Sequence, residues 1–285
     1  MTNLSLSIIA DGFVFPESAR WRDDRLWFCD WGTSIVWNVG LDGGRRRFCE
    51  IPIMQTATAP QRRGPFCMDW LPDGRMIVVS GQDRQLLTLE PDGLVSVYAD
   101  LGSLSENPWN DIVIDAHGSM YVNSPSMESG GGDGAVALIQ PNGKQRKVAD
   151  GLQFPNGMAI THDGQSLIVA ESMGKRLTAF RIRANGTLAR QRTWATVDGH
   201  PDGICIDSDG NIWYADVPNQ ECVLVAEGGS VLRTVPSPKG CFDCVLAGSD
   251  QKSLLILASE WRGFEYDYSG ERTGCVFRST LLQKQ

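Results

Sequence analysis

A pattern of two hydrophobic stretches separated by a short polar turn occurs six times along the 285-residue chain. One residue marks each turn, and successive markers lie 49, 44, 46, 46 and 41 residues apart, at Asp24, Asp73, His117, Asp163, Asp209 and Asp250. Several turns contain Asp-Gly, which readily adopts the positive φ angles of a tight hairpin loop. The stretches after the turns, such as "RMIVVS" and "NIWYAD", are rich in β-branched and aromatic residues. The repeat therefore predicts six units, each built on a β-hairpin.

Third and fourth strands follow in the repeats, as in "RLTAFRI" and "RQRTWATV", and no helical period extends over ten or more residues. Six repeats of four strands predict an all-β, six-bladed β-propeller with four-stranded antiparallel blades, forming a single domain over residues 1–285. A parallel β-helix has shorter repeats, and a two-sheet sandwich would not repeat six times. The remaining N-terminal strand, "LSLSIIADG", is expected to pair with "TGCVFRSTL", closing the last blade and removing an exposed edge.

Charge and cysteine content limit the functional classes. A formal net charge of −8 and a pI near 4.9 disfavour binding to nucleic acid or an anionic membrane. No signal peptide and no membrane-spanning apolar run is evident. Eight cysteines are spread through the chain, several within hydrophobic stretches, and one isolated C-x-x-C pair, Cys241 and Cys244, is a weak metal or redox signal. We expect a reduced, cytoplasmic protein, and the sequence leaves its oligomeric state open.

The repeat aligns a set of polar residues at the start of each first strand. In a propeller this strand lines the central channel and begins near one mouth. Counting back seven residues from the markers gives Glu17, Phe66, Asn110, Asn156, Asp202 and Asp243. One interpretation is that the polar members cap loops by accepting backbone hydrogen bonds. The other is that carboxylates converging on the axis need either protons or a cation.

The residue types indicate which cation would suit such a site. Glu17, Asn156 and Asp202 offer hard oxygen donors, which suit calcium, magnesium or manganese. None of the aligned positions holds His or Cys, so a thiolate zinc site is disfavoured.

The segments "FPESARW", "NGMAITHDGQSLIVAES" and "PDGICIDSDGNIWYAD" resemble the senescence marker protein / gluconolactonase / luciferin-regenerating enzyme (regucalcin-like) family, and the resemblance extends over all six repeats. It implies one divalent cation at the channel mouth, held by Glu17, Asn156 and Asp202. Calcium is the first expectation, with magnesium, manganese or zinc as alternatives. The resemblance also implies hydrolysis of a small-molecule lactone or ester, with Asp202 as general base and Asn110 beside the metal in contact with substrate.

The chain departs from the family pattern at two positions. Pro108 stands where sugar-lactone members often carry a substrate-binding Arg, which argues against a sugar-acid lactone, and the adjacent Trp109 suggests a less polar pocket. Asp243 stands where many relatives have a small hydroxyl residue; it could be a further ligand, a base or a capping group. His200, two residues before Asp202, either shapes the rim of the pocket or moves protons near neutral pH.

Loops after the second strands are expected to return to the same mouth. They bring polar and aromatic residues there, namely Asp30, Trp31, Asn123, Glu171, Asp216, Glu260 and Trp261. The longest, "SPSMESGGGDG" (124–134), is expected to form a mobile flap. Candidates for an apolar pocket wall, which could equally be ordinary packing, are Trp31, Trp109, Met127, Met173 and Trp261.

Three functional classes remain. The absence of a G-x-S-x-G motif disfavours a serine esterase. A metal-dependent lactonase is the first hypothesis. A phosphotriesterase or other esterase could use the same cation, and a non-enzymatic propeller could bind peptides or proteins on its faces without any metal cluster at the axis.

Overall fold

The structure is a computed structural model that describes residues 6–52, 64–90, 94–126, 132–263 and 270–281. Its strands form six four-stranded antiparallel sheets. Blades 1 to 3 contain β2 (Pro16–Arg22), β3 (Arg25–Asp30), β4 (Ile35–Val39), β5 (Arg45–Glu50), β6 (Phe66–Trp70), β7 (Met76–Ser80), β8 (Gln85–Leu89), β9 (Val95–Asp100), β10 (Ile112–Ile114), β11 (Met120–Ser124), β12 (Gly134–Ile139) and β13 (Gln145–Leu152). Blades 4 to 6 contain β14 (Pro155–Ile160), β15 (Ser166–Glu171), β16 (Arg176–Ile182), β17 (Leu188–Thr196), β18 (Pro201–Ile206), β19 (Ile212–Asp216), β20 (Glu221–Val225), β21 (Val231–Pro236), β22 (Gly240–Ala247), β23 (Ser253–Ser259) and β24 (Gly274–Thr280), with β1 (Leu6–Phe13) completing blade 6.

The blades close into a ring, which confirms the predicted six-bladed β-propeller. Each first strand contacts the first strands of the two neighbouring blades, from β2 through β6, β10, β14 and β18 to β22 and back to β2. The N-terminal strand β1 pairs antiparallel with β24, from Leu6 opposite Ser279 to Phe13 opposite Gly274. The predicted closing strand is therefore present, and it covers the backbone edge that β24 would otherwise expose.

The turns between first and second strands have the backbone geometry that the sequence predicts. Gly74, Gly164 and Gly210 have φ angles of 92°, 68° and 83°, in the region that residues with a side chain rarely adopt. In each turn the backbone reverses within a few residues and sets the register of the hairpin.

The core lies in the gaps between blades. The described residues form six large hydrophobic clusters, each joining the facing sides of two neighbouring blades. Second strands are buried along most of their length, whereas the fourth strand β5 is exposed at nearly every position. Because both faces of each blade are covered, the buried strands consist mostly of apolar residues. The polar residues at the starts of the first strands depart from this pattern.

All eight cysteines are free thiols, and the C-x-x-C pair, Cys241 and Cys244, is buried in β22. Within the part of the chain that the structure describes, no helix has the length and apolar character needed to cross a bilayer.

Candidate functional site

The first strands begin around a small cavity at one end of the central channel. Its walls include four residues at the aligned position, Glu17, Asn110, Asn156 and Asp243. Asp202 is 9% exposed, and the next two residues, Gly203 and Ile204, line the same cavity. Phe66, the sixth aligned residue, packs instead in the core between blades 1 and 2. Four of the six aligned residues therefore line one cavity, and Asp202 directly precedes two further residues that line it.

Two glycines let the first strands approach each other at the axis. A Cβ on Gly157 would lie 2.5 Å from the backbone oxygen of Asp202, and a Cβ on Gly203 would lie 2.0 Å from Oδ1 of Asp243. Neither distance is compatible with a side chain. The Asn-Gly and Asp-Gly pairs at the channel mouth therefore serve close packing, whereas the Asp-Gly pairs in the turns serve positive φ angles.

Asn156 is held by two hydrogen bonds to its side-chain amide and one to its backbone oxygen. Its Oδ1 accepts a 2.9 Å hydrogen bond from Nδ2 of Asn110, and its Nδ2 donates to Oγ of Ser172 at 3.4 Å. Ser172 in turn donates to the backbone oxygen of Pro201 at 2.7 Å, and Nδ2 of Asn123 donates to the backbone oxygen of Asn156. This network fixes which face of the amide carries oxygen, with one Oδ1 lone pair left for another partner.

Burial and neighbouring carboxyl groups raise the pKa values of three acidic residues at the cavity, Glu17, Asp202 and Asp243. Burial raises the pKa of Glu17 well above its usual range, and Asp202 and Asp243 raise it further. Burial also raises the pKa of Asp202, with Asp243 as the next largest cause. For Asp243 burial raises the pKa to about 7, although its Oδ2 accepts a 2.6 Å hydrogen bond from the backbone amide of Ala19. The cavity therefore favours occupation by protons or by a cation.

A buried ion pair borders this cavity, and comparison of the repeats did not reveal it. Nη2 of Arg20 lies 3.0 Å from Oδ1 of Asp111 and donates to the backbone oxygen of Ile112 at 2.7 Å. Oδ2 of Asp111 accepts a 2.8 Å hydrogen bond from the backbone amide of Met158. In the sequence, Asp111 directly follows the aligned residue Asn110. The residue at this position differs from blade to blade, so the repeat does not mark it as functional. The pair ties blades 1, 3 and 4 together and uses both N–H groups of Arg20 Nη2.

Three acidic residues that the sequence assigns to the mouth loops have a structural role. Asp30, Glu171 and Asp216 are fully buried at the ends of second strands. Asp30 accepts two hydrogen bonds from backbone amides just before β2, Glu171 accepts one from Gln153 at 2.7 Å, and Asp216 accepts one from Nδ2 of Asn219 at 2.9 Å. Their oxygens are used in capping loops, as Asx and Glx residues commonly are.

Two other predicted site residues lie outside the cavity walls. Trp109 is fully buried in the core between blades 2 and 3, and His200 is half-buried immediately before β18. Nε1 of Trp109 and Nδ1 of His200 are buried without a hydrogen-bond partner among the described residues. Met173 is 45% exposed, whereas residues 127–131 of the predicted flap, which include Met127, lie outside the described residues.

Four aromatic residues form a cluster at the same end of the propeller, on blades 1 and 6. This aromatic cluster consists of Phe15, Trp31, Phe242 and Trp261. The ring centroid of Phe15 lies 5.4 Å from that of Trp31 and 4.4 Å from that of Phe242. The centroids of Phe242 and Trp261 are 5.9 Å apart. The two tryptophans are among the residues predicted for an apolar pocket wall, although neither lines the acidic cavity itself. The two phenylalanines were missed, although each lies within two residues of an acidic residue of the cavity.

The residues at the cavity fit a divalent cation by their chemistry. Glu17 and Asp202 are buried carboxyl groups with no cationic partner among the described residues, and the amide oxygen of Asn156 retains a free lone pair. No three described His, Cys, Asp or Glu side chains are grouped so that they could hold a metal by themselves. The set predicted from the sequence, Glu17, Asn156 and Asp202, is not of that kind, because one of its three ligands is an amide. All three still offer hard oxygen donors.

The chain is similar to several known proteins in sequence and in structure. The chain is 27% identical to diisopropyl-fluorophosphatase from Loligo vulgaris over 71% of this chain and 72% of that protein. It is 26% identical to gluconolactonase from Zymomonas mobilis over 89% of this chain and 79% of that protein. A solved structure of the calcium-binding protein regucalcin from Agrobacterium tumefaciens superposes with a TM-score of 0.77 at 16% identity, covering 98% of this chain and 96% of that one.

A family model described as the SMP-30/Gluconolactonase/LRE-like region matches residues 15–260. The match begins just before Glu17 and includes every residue that lines the cavity. The chain therefore belongs to the SMP-30/gluconolactonase/LRE-like family.

Proposed function

We propose that this protein is a divalent-metal-dependent lactonase whose cation is held by Glu17, Asn156 and Asp202. The observation that carries the proposal is the pair of buried carboxyl groups, Glu17 and Asp202, which have no cationic partner among the described residues. Burial and neighbouring carboxyl groups raise the pKa of both. Calcium is the first candidate because all three donors are hard oxygens. A relative named gluconolactonase and a neighbouring structure named as a calcium-binding protein support the same assignment.

A bound divalent cation would polarise the ester carbonyl and stabilise the negative charge that develops on its oxygen. Asp202 is proposed to accept the proton of the attacking water, with Asp243 as the second candidate. Asn110 would orient the substrate, because its amide lies 2.9 Å from that of Asn156. Trp109 would support the position of Asn110 from the core, and His200 would shape the rim next to Asp202.

Phosphotriester hydrolysis is a second candidate function. The relative named diisopropyl-fluorophosphatase is 27% identical over most of both chains. The same donor set could polarise a P=O group as readily as a C=O group, so the two activities need to be separated by experiment.

The test is proton release from a panel of lactones and one chromogenic phosphotriester, using chelated protein reloaded with calcium, magnesium, manganese or zinc. We expect lactone hydrolysis that depends on the added ion. Asp202→Ala should abolish both calcium binding, measured by calorimetry, and activity. The exposed turn residue Asp209 provides a matched control, since Asp209→Ala should preserve both.

Full activity of chelated protein, or retention of calcium binding and activity in Asp202→Ala, would contradict the proposal. Metal-dependent turnover of the phosphotriester alone would favour the second function. Calcium binding without turnover of any substrate would favour a calcium-binding protein that has no hydrolase activity.

A further inference from the structure

The aromatic cluster lies beside the acidic cavity. Phe15 precedes β2 by one residue and Glu17 by two, and Phe242 directly precedes Asp243 in β22. Both phenylalanines are largely buried, whereas Trp31 and Trp261 are only half-buried. The half-buried tryptophans therefore leave part of an aromatic surface accessible at the end of the propeller that carries the cavity.

The phenylalanines and the surrounding packing hold this surface in place. Val14 and Val217 pack against Phe15 and Phe242. The indole Nε1 of Trp31 donates to the backbone oxygen of Phe66 at 2.6 Å. A Cβ on Gly64 would lie 2.8 Å from the Trp31 ring, so the chain passes close against that face. The rings are thus fixed before any ligand binds, which lowers the entropic cost of binding.

Two groups that could help to recognise a sugar are already engaged or replaced in this chain. The guanidinium of Arg20, which reaches the cavity, donates to Asp111 and to two backbone oxygens. Pro108 occupies the position at which a substrate-binding Arg is expected from the family resemblance, and its backbone oxygen accepts a 2.9 Å hydrogen bond from Oγ of Ser124. A polyhydroxylated ring would therefore gain no hydrogen bonds from these two positions to offset the hydration that it loses against the aromatic rings.

We propose that the aromatic cluster binds an alkyl or aryl substituent of the substrate, so that the protein acts on apolar-substituted lactones in preference to sugar lactones. The inference rests on the proposed lactonase function and names the substrate class of that site. The ester group would lie in the acidic cavity, and the substituent would extend towards Trp31 and Trp261.

The first experiment measures kcat/KM for γ-butyrolactone, γ-valerolactone, γ-hexalactone, γ-octalactone and glucono-δ-lactone with calcium-loaded protein. Each buried methylene should raise kcat/KM about fourfold, until the substituent extends past the cluster. Trp261→Ala should lower the ratio of kcat/KM for γ-octalactone to that for γ-butyrolactone about tenfold. Phe48→Ala is the control, because Phe48 is a 46% exposed aromatic residue on the outer strand β5, and it should keep the wild-type ratio.

The second experiment measures binding without hydrolysis or metal. Chelated protein is titrated with cyclopentanone and with 2-pentylcyclopentanone, which carries the same kind of substituent on a ring that cannot be hydrolysed. The pentyl compound should bind at least tenfold more tightly and should quench tryptophan fluorescence. Trp261→Ala should remove most of that difference.

The two experiments separate failure of the inference from failure of the proposed function. If no lactone is hydrolysed with any ion but the pentyl ketone binds preferentially, the lactonase assignment is wrong and the aromatic cluster still binds apolar groups. If lactones are hydrolysed but glucono-δ-lactone is preferred, or chain length has no effect on turnover or binding, the inference is overturned.

Discussion

Asn156 and Asp202 occupy the same position in neighbouring blades, yet one is an amide and the other an acid. The structure gives a physical reason for the difference. Asn156 accepts a hydrogen bond from Asn110 and donates one to Ser172, which requires both ends of an amide. Asp202 lies where burial and Asp243 already raise its pKa, so a further carboxylate at position 156 would increase the repulsion. With one amide and one acid, both positions still offer an oxygen to a cation. When no cation is bound, they repel each other less than two carboxylates would.

The acidic cavity should make stability depend on pH in the metal-free protein. Burial raises the pKa of Asp243 from 3.8 to about 7, and the pKa values of Glu17 and Asp202 shift in the same direction. The folded state therefore holds protons that the unfolded state releases. The stability that these protons contribute is complete below about pH 4 and is lost as the pH rises through 7 and above.

The measurement is urea unfolding of chelated protein between pH 5 and pH 8. The free energy of unfolding should fall by up to about 1.4 kcal/mol per pH unit for each group that titrates. Asp243→Asn should flatten part of this slope, and saturating calcium should reduce it because the ion competes with the protons. A free energy of unfolding that stays level or rises over this range would show that the carboxyl groups are ionised in the folded protein.

Sequence alone could predict the aligned residues but not their partners. Glu17, Asn110, Asn156 and Asp243 share a cavity because the spacing of the repeat places them at equivalent strand positions. The Arg20–Asp111 ion pair obeys no such rule, since its members come from different positions of different blades. An ion pair between blades forms only where two side chains are long enough to meet near the axis. A repeat pattern does not specify which side chains these are.

The first strands differ from one another in ways that shape the site. β2, β14, β18 and β22 each contain a register shift at or next to the aligned residue, whereas β6 and β10 pair with their second strands without one. Such bulges turn a side chain away from the regular alternation. Phe66, the aligned residue of the regular strand β6, packs in the core, whereas Asn110 precedes the short strand β10 by two residues and lines the cavity. Hydrophobic patterning predicted that these strands exist. The positions of the bulges could not be predicted, because a bulge shifts the alternation of side chains by only one residue.

Ser172 follows the end of β15 and connects two of the first strands. It accepts a hydrogen bond from Asn156 and donates one to the backbone oxygen of Pro201, the residue before Asp202. Ser172→Ala should therefore free the Asn156 amide to rotate and should lower calcium affinity about tenfold, as loss of a supporting hydrogen bond commonly does. Calorimetric titration with calcium measures this change. Ser208→Ala, in an exposed turn, is the control, and equal affinities for the two variants would show that Ser172 does not orient the amide.

Closure of the ring is the feature that stabilises the molecule as a whole. Phe13, at the end of the closing strand β1, is 1% exposed and makes edge-to-face contacts with Phe28 and Trp37 of blade 1. One side chain thus joins the last blade to the first. The sequence predicted this closure from an unpaired strand at one end of the chain, because a propeller has only one place for it.

Phe13→Ala tests the contribution of closure. We expect the free energy of unfolding to fall by about 3 kcal/mol, since a large buried ring is replaced by a cavity at the junction. Phe48→Ala, which removes a partly exposed ring from an outer strand, should cost less than about 1 kcal/mol. Similar small losses in both variants, measured by urea unfolding, would mean that the ring holds together without this contact.

The central claim is that Glu17, Asn156 and Asp202 together hold one divalent cation at the mouth of the channel. The most direct test is a crystal structure of manganese-loaded protein with anomalous diffraction data, since manganese is one of the candidate ions. We expect a single anomalous peak in the cavity, with a side-chain oxygen from each of the three residues at coordination distance. A peak elsewhere, or an empty cavity at saturating manganese, would contradict the account.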